Sequence, residues 1–166
     1  MIRLKKIGHV QLRVADLKRS KAFYCDVLGF RVAEEDPDHG DLFMTLGDDF
    51  HTIDVTEHAD PDGVPRERRG IGLGHIAFQV PDYEALGEAY RGLQEHGVEI
   101  LRALDHVNQR SIYFHDPDGN LLEIYYEMPG ALQRFPHGRG DKNYELPVTR
   151  AGEAPPAWLS ERWPIS

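Results

Sequence analysis

Apolar and polar residues alternate in Val10-Gln11-Leu12-Arg13-Val14 and again in Ile76-Ala77-Phe78-Gln79-Val80. Alternation at period two is the mark of a half-buried strand, because successive side chains point to opposite faces of a sheet. Each run opens on a Gly-His pair (Gly8-His9, Gly74-His75) and leads to an aspartate (Asp16, Asp82) that stands before apolar residues at helical spacing. An aspartate there is a good N-cap, since its carboxylate accepts from free first-turn N–H groups. The spacing predicts a helix over 17–28 that buries Leu17, Phe23, Tyr24, Val27 and Leu28 and stops at Gly29. It predicts a second helix over 83–96 that buries Leu86, Ala89, Tyr90 and Leu93 and stops at Gly97. Three strand-like runs follow each helix, at 30–34, 42–46 and 51–56 and then at 98–101, 110–115 and 121–127. Gly47-Asp48-Asp49 and Asp116-Pro117-Asp118-Gly119 supply turn signals at matching places. A strand-helix-strand-strand-strand unit therefore occurs twice, an internal repeat whose two Gly-His histidines stand 66 residues apart.

The repeat sets the expected organisation. One domain covers 1–127, with module one at 4–58, a Pro-, Gly- and charge-rich linker at 59–70, and module two at 71–127. The remaining residues, 128–166, carry six prolines and are not a third copy. Trp158, Leu159, Trp163 and Ile165 lie among those prolines, and such apolar bulk favours docking on the domain or on a second subunit over a free tail.

Strand phase divides the side chains. Val10, Leu12 and Val14 share the face covered by a helix, and so do Ile76, Phe78 and Val80, Ile112 and Phe114, and Leu122, Ile124 and Tyr126. The opposite faces collect His9, Gln11 and Arg13; Thr52, Asp54 and Thr56; His75 and Gln79; Ser111, Tyr113 and His115; and Glu123 and Tyr125. If both modules build one curved mixed sheet, these faces line a shared polar concavity in an α+β fold. His9, His75 and Glu123 are then candidates to meet there. Two imidazoles and a carboxylate form the facial triad that holds Fe(II), or a similar divalent ion, with positions left open. His51 shares phase with Ile53 and Val55, which sets it away from that face. His39, His58 and His137 stand in polar turns and read as solvated, His96 closes a helix, and Cys25 reads as a small core residue.

Composition narrows the partners. Nineteen Lys+Arg against 28 Asp+Glu leave a formal charge of −9, which argues against generic nucleic-acid binding. No apolar run reaches the roughly 20 residues of a membrane-spanning helix, and the N-terminus lacks the apolar core of an export signal. A single cysteine rules out an internal disulfide and fits a reducing, cytoplasmic setting.

The paired Gly-His openings, the repeated unit and the run Ser111-Ile-Tyr113-Phe-His-Asp-Pro-Asp-Gly119-Asn120-Leu-Leu-Glu123 resemble the vicinal oxygen chelate superfamily. That group includes glyoxalases, methylmalonyl-CoA epimerases, fosfomycin- and bleomycin-resistance proteins and type I extradiol dioxygenases. The resemblance covers about residues 4 to 127 and implies two βαβββ modules whose strands enclose a metal-binding cup. It implies ligands from the first, fifth and eighth strands, here His9, His75 and Glu123. In glyoxalase-like members a fourth ligand comes from the fourth strand, where the repeat places Asp54, shorter than the usual Glu by one methylene. Tyr113 and His106 resemble the Tyr and His that serve extradiol dioxygenases in binding the substrate hydroxyl and in acid–base work. His115 is a second candidate for the acid–base role.

The expectation drawn from this resemblance is an Fe(II)-dependent extradiol dioxygenase that cleaves a catechol-type ring with O2, with Mn(II), Zn(II) or Ni(II) as other candidate metals. Its partners would be a small molecule with vicinal oxygens and, by family habit, a second copy in a homodimer. Two other classes stay open: a glyoxalase- or epimerase-like lyase or isomerase, and a metal-free small-molecule binding protein.

Overall fold

The computed structural model describes residues 2–36, 38–58, 72–139 and 142–163. The expected linker at 59–70, the start of module two at Ile71, and Ile165 of the tail lie outside the described residues. The chain divides into two compact units, one containing the first module and the other the second module and the tail.

The first unit runs β1 (Val10–Val14), α1 (Leu17–Ala22), β2 (Arg31–Asp36), β3 (Asp41–Thr45) and β4 (Ile53–Glu57). Its sheet has the order β1-β4-β3-β2, with β1 and β4 parallel and the other pairs antiparallel. Asp16 caps α1 as expected, its carboxylate accepting from the Arg19 N–H at 2.8 Å. The predicted single helix over 17–28 instead widens after Ala22 into a π-helical turn, Phe23–Val27. Such a turn admits one extra residue and rotates the positions that follow. Phe23 and Tyr24, adjacent in sequence, are both buried there, and Tyr24 also meets the edge of Phe30 at 5.6 Å. Gly29 ends the turn at φ +76°, a backbone conformation that glycine adopts without a Cβ penalty. Leu12, Val14, Leu42, Met44, Ile53 and Val55 complete this unit's buried apolar set. β2 is the exposed edge strand, and its Arg31, Glu34, Glu35 and Asp36 are the charges that discourage edge-to-edge pairing.

The second unit repeats the plan with β5 (Ile76–Gln79), α2 (Tyr83–Glu95), β6 (Ile100–Asp105), β7 (Gln109–His115) and β8 (Leu121–Glu127). Asp82 caps α2 through the Ala85 N–H at 2.8 Å, and Leu86, Tyr90 and Leu93 are its buried stripe. These strands take the order β5-β8-β7-β6, again with the first two parallel, and a ninth strand adds beyond β6. β6 lies further along the chain than the predicted 98–101, so Asp105 ends a strand.

The ninth strand comes from the tail. β9 (Tyr144–Leu146) pairs antiparallel with β6, and a short helix, α3 (Ala131–Arg134), precedes it. Beyond β9, Trp158 is 3% exposed and its indole N–H donates to the Pro147 carbonyl at 2.8 Å. Its own carbonyl accepts from the Tyr83 hydroxyl at 2.6 Å. Arg110, also buried, donates to Asp105 at 2.8 Å, to the Tyr83 oxygen at 2.6 Å and to Glu161 at 3.1 Å. Those partners compensate a buried guanidinium that would otherwise be costly.

Candidate functional site

The parallel strand pairs put the repeat's chemistry in register. In the first unit Gln11 lies opposite Asp54, and in the second Ala77 lies opposite Glu123. His9 and His75 each stand two residues before those positions. Each module therefore presents one imidazole to one strand carboxylate, and Asp54 occupies the register of Glu123.

In the second unit His75 Nε2 is 2.8 Å from Glu123 Oε2, and Glu123 Oε1 accepts from Gln109 Nε2 at 3.2 Å. The Glu123 side chain is buried while His75 is about two-fifths exposed. Tyr113 lies directly opposite Glu123 across β7 and β8, edge-on to His75 with ring centroids 5.9 Å apart. Burial first, and then the Glu123 charge, push the Tyr113 phenol up to about 12, so it stays protonated near neutral pH. The Arg102 guanidinium sits 4.5 Å from the Tyr113 ring centre. His106 Nε2 lies 3.0 Å from the Tyr113 hydroxyl, and His106 is itself buried. His115, the other acid–base candidate, is the last residue of β7, opposite Leu121. Of the two candidates, His106 is the one hydrogen-bonded to the Tyr113 hydroxyl.

In the first unit the shorter aspartate changes the arrangement. His9 Nε2 is 3.5 Å from Asp54 Oδ2, against 2.8 Å for the glutamate pair. The second oxygen of Asp54 is 2.6 Å from Nδ1 of His51, whose ring stacks on His9 with centroids 4.4 Å apart. Strand phase sets His51 with Ile53 and Val55, and here the structure corrects the sequence. β4 begins only at Ile53, so the period-two rule does not reach His51. His9, His51 and Asp54 offer ligand atoms that all lie within 4.8 Å of one another.

The donor chemistry fits a divalent metal. Asp54 and Glu123 are each 3% exposed, and a carboxylate stripped of water needs a cationic or strongly donating partner. Imidazole nitrogens beside carboxylate oxygens are the mixture that suits Fe(II), Mn(II), Zn(II) or Ni(II).

Comparison with known proteins identifies the family and the fold. The sequence pattern of the Glyoxalase/Bleomycin resistance protein/Dioxygenase superfamily matches residues 6–124, and the chain belongs to that superfamily. Catechol-2,3-dioxygenase of Bacillus subtilis (strain 168) is 36% identical over 144 residues, 86% of this chain and 48% of the relative. The chain thus spans about half the length of that enzyme. Lactoylglutathione lyase of Haemophilus influenzae is 36% identical over 125 residues, 72% of this chain and 90% of the relative. A solved point mutant of the fosfomycin resistance protein FosX from Listeria monocytogenes, complexed with Mn(II) and 1S,2S-dihydroxypropylphosphonic acid, shares the fold. It aligns at a TM-score of 0.64 and 24% identity, over 80% of this chain and 99% of the FosX chain. The two βαβββ modules are the fold that the repeat implied.

Proposed function

We propose that this protein is a metal-dependent extradiol dioxygenase acting on a catechol-type substrate. The observation that carries the reading is the second unit's cluster: the His75–Glu123 pair with the Tyr113–His106 pair beside it. The relative named catechol-2,3-dioxygenase supports it. We assign His9, His75 and Glu123 as metal ligands, with Asp54 as a fourth candidate and Fe(II) as the metal. When bound, the ion would supply Lewis acidity toward two vicinal oxygens and, as Fe(II), redox access to O2.

The chain's own residues have separate tasks. The buried carboxylates supply negative charge that favours a dication, and Gln109 holds one oxygen of Glu123 in place. Tyr113, neutral and held in a hydrogen bond, orients a substrate hydroxyl. His106 takes and returns a proton through the Tyr113 hydroxyl, because it is buried behind that group. His115 is the alternative proton acceptor in this reading.

A second reading has its own observation. Asp54 shares the register of Glu123, and a lactoylglutathione lyase is among the relatives. Four ligands would favour a glyoxalase- or epimerase-like proton transfer over O2 chemistry. Anaerobic reconstitution with Fe(II) and a catechol panel followed by visible absorbance tests the choice. A yellow ring-opened product supports the dioxygenase. No product from any catechol, with turnover of a hemithioacetal or a CoA ester, refutes it.

A further inference from the structure

We propose that Asn143, contributed by the C-terminal tail, is a positioning residue. It fixes the tautomer of His106 and so makes Tyr113 present a hydrogen-bond acceptor, not a donor, to the ligand. The proposal deepens the reading of Tyr113 as the group that meets a substrate hydroxyl, and its functional consequence rests on that reading.

The β6–β9 register supplies the placement. Asp105 lies opposite Tyr144, which brings the next residues of each segment, His106 and Asn143, side by side. His106 Nδ1 is 2.5 Å from Asn143 Oδ1. The same oxygen accepts from Arg139 Nη1 at 3.2 Å, and a guanidinium can only donate, so the atom facing His106 is the amide oxygen. Arg139 also donates to the carbonyls of His106 and Lys142, each at 3.1 Å, tying the tail to the β6–β7 turn.

An amide oxygen only accepts, so His106 Nδ1 must carry a hydrogen. In a neutral imidazole that leaves a lone pair on Nε2, and the neighbour of Nε2 is the Tyr113 hydroxyl. The phenol proton then points to His106, and the Tyr113 oxygen turns its lone pairs elsewhere. The hydrogen bonds run in one direction, from Tyr113 to His106 to Asn143. Ser111 and Glu123 also hydrogen-bond the phenol; the Glu123 carboxylate can only accept and so competes for its proton, and the Asn143 contact is what gives His106 a lone pair to compete with it. A Tyr113 oxygen arranged this way accepts from a ligand hydroxyl and has no proton to offer a carbonyl or ether. The tail thereby selects ligands that retain a free hydroxyl at that position.

Long-range 15N–1H correlation spectra of the full-length protein labelled at histidine nitrogen read the tautomer directly, as purified and with Zn(II) added as a diamagnetic ion. The expected result is a neutral His106 with hydrogen on Nδ1. Asn143→Leu should lose that single tautomer, and Asn143→Asp, which keeps an acceptor, should retain it. An Nε2–H tautomer or an imidazolium in the unsubstituted protein overturns the proposal. So does an unchanged His106 in Asn143→Leu, or loss of the Nδ1–H tautomer in an Asn143→Asp protein whose amide spectrum shows the fold intact. The readout needs no turnover. A protein with the expected tautomer response but no activity on catechols defeats the dioxygenase reading alone.

Discussion

Trp158→Ala should detach the tail and destabilise the second unit by about 3–5 kcal/mol, the usual cost of deleting a large buried aromatic side chain. The indole is 3% exposed and meets the edge of Tyr90 at 6.0 Å. A tryptophan buries roughly 150–250 Å², which at about 25 cal/mol per Å² is on the order of 4–6 kcal/mol as an upper bound. The indole hydrogen bond to Pro147 adds about 1 kcal/mol, because its carbonyl can rehydrate once the tail moves. The substitution leaves the Trp158 carbonyl in the chain, so its bonds to Tyr83 and Arg110 fail only if the segment lifts away. Urea denaturation gives the free energy, with a fall in melting temperature on the order of 10 °C. Hydrogen exchange locates the change, and protection should fall in β9 and along its partner β6 while β3 and β4 of the first unit keep theirs. A loss below about 1 kcal/mol, outside the usual range for a buried aromatic, with β9 still protected, would refute the account of the tail as a packed part of this unit.

Other outcomes follow from the same geometry. Val107 is the one non-glycine residue with positive φ among the described residues, at +74°, and a β-branched side chain is strained there. Val107→Gly should therefore raise the melting temperature, with a gain on the order of 1 kcal/mol; a clear fall would show that its side-chain packing outweighs the strain. Burial and the Glu123 charge push the Tyr113 phenol up to about 12, above its ordinary value of 10. Its contribution to stability is thus complete below pH 10 and lost as pH rises from 10 through 12. Burial also raises Tyr83 and Tyr125, so phenolate absorbance should show several tyrosines ionising late, and Tyr113→Phe should remove one of those steps. His75→Ala and Glu123→Gln should each lower bound metal at least tenfold, measured by elemental analysis after dialysis against trace metal; unchanged stoichiometry in both would remove them from the ligand set.

How far the sequence carries depends on the range of the interactions involved. Asp16 and Asp82 cap their helices because a carboxylate three residues before a free N–H is a local matter, legible from spacing alone. The repeat, the buried stripes Leu86/Tyr90/Leu93 and Leu122/Ile124, and the polar phase holding Tyr113 and Glu123 are equally local. Period two and period 3.6 record which side of an element meets the core. The repeat even pointed to Asp54 as the counterpart of Glu123, and strand register places it there.

Tertiary structure decided what begins where, and what comes from far away. His51 pairs with Asp54 because β4 starts two residues after it, and a strand's first residue is set by its pairing partners. Helical spacing already placed Phe23 and Tyr24 in the core, but nothing in it announced the π-helical turn, Phe23–Val27, that carries them there. Asn143 reaches His106 across 37 residues through the β6–β9 register, and no pattern local to either segment announces it. Sequence periodicity reports whether a side chain is buried. Which side chains it is buried against depends on how distant segments pair, and at Tyr113 that pairing decides the direction of a hydrogen bond.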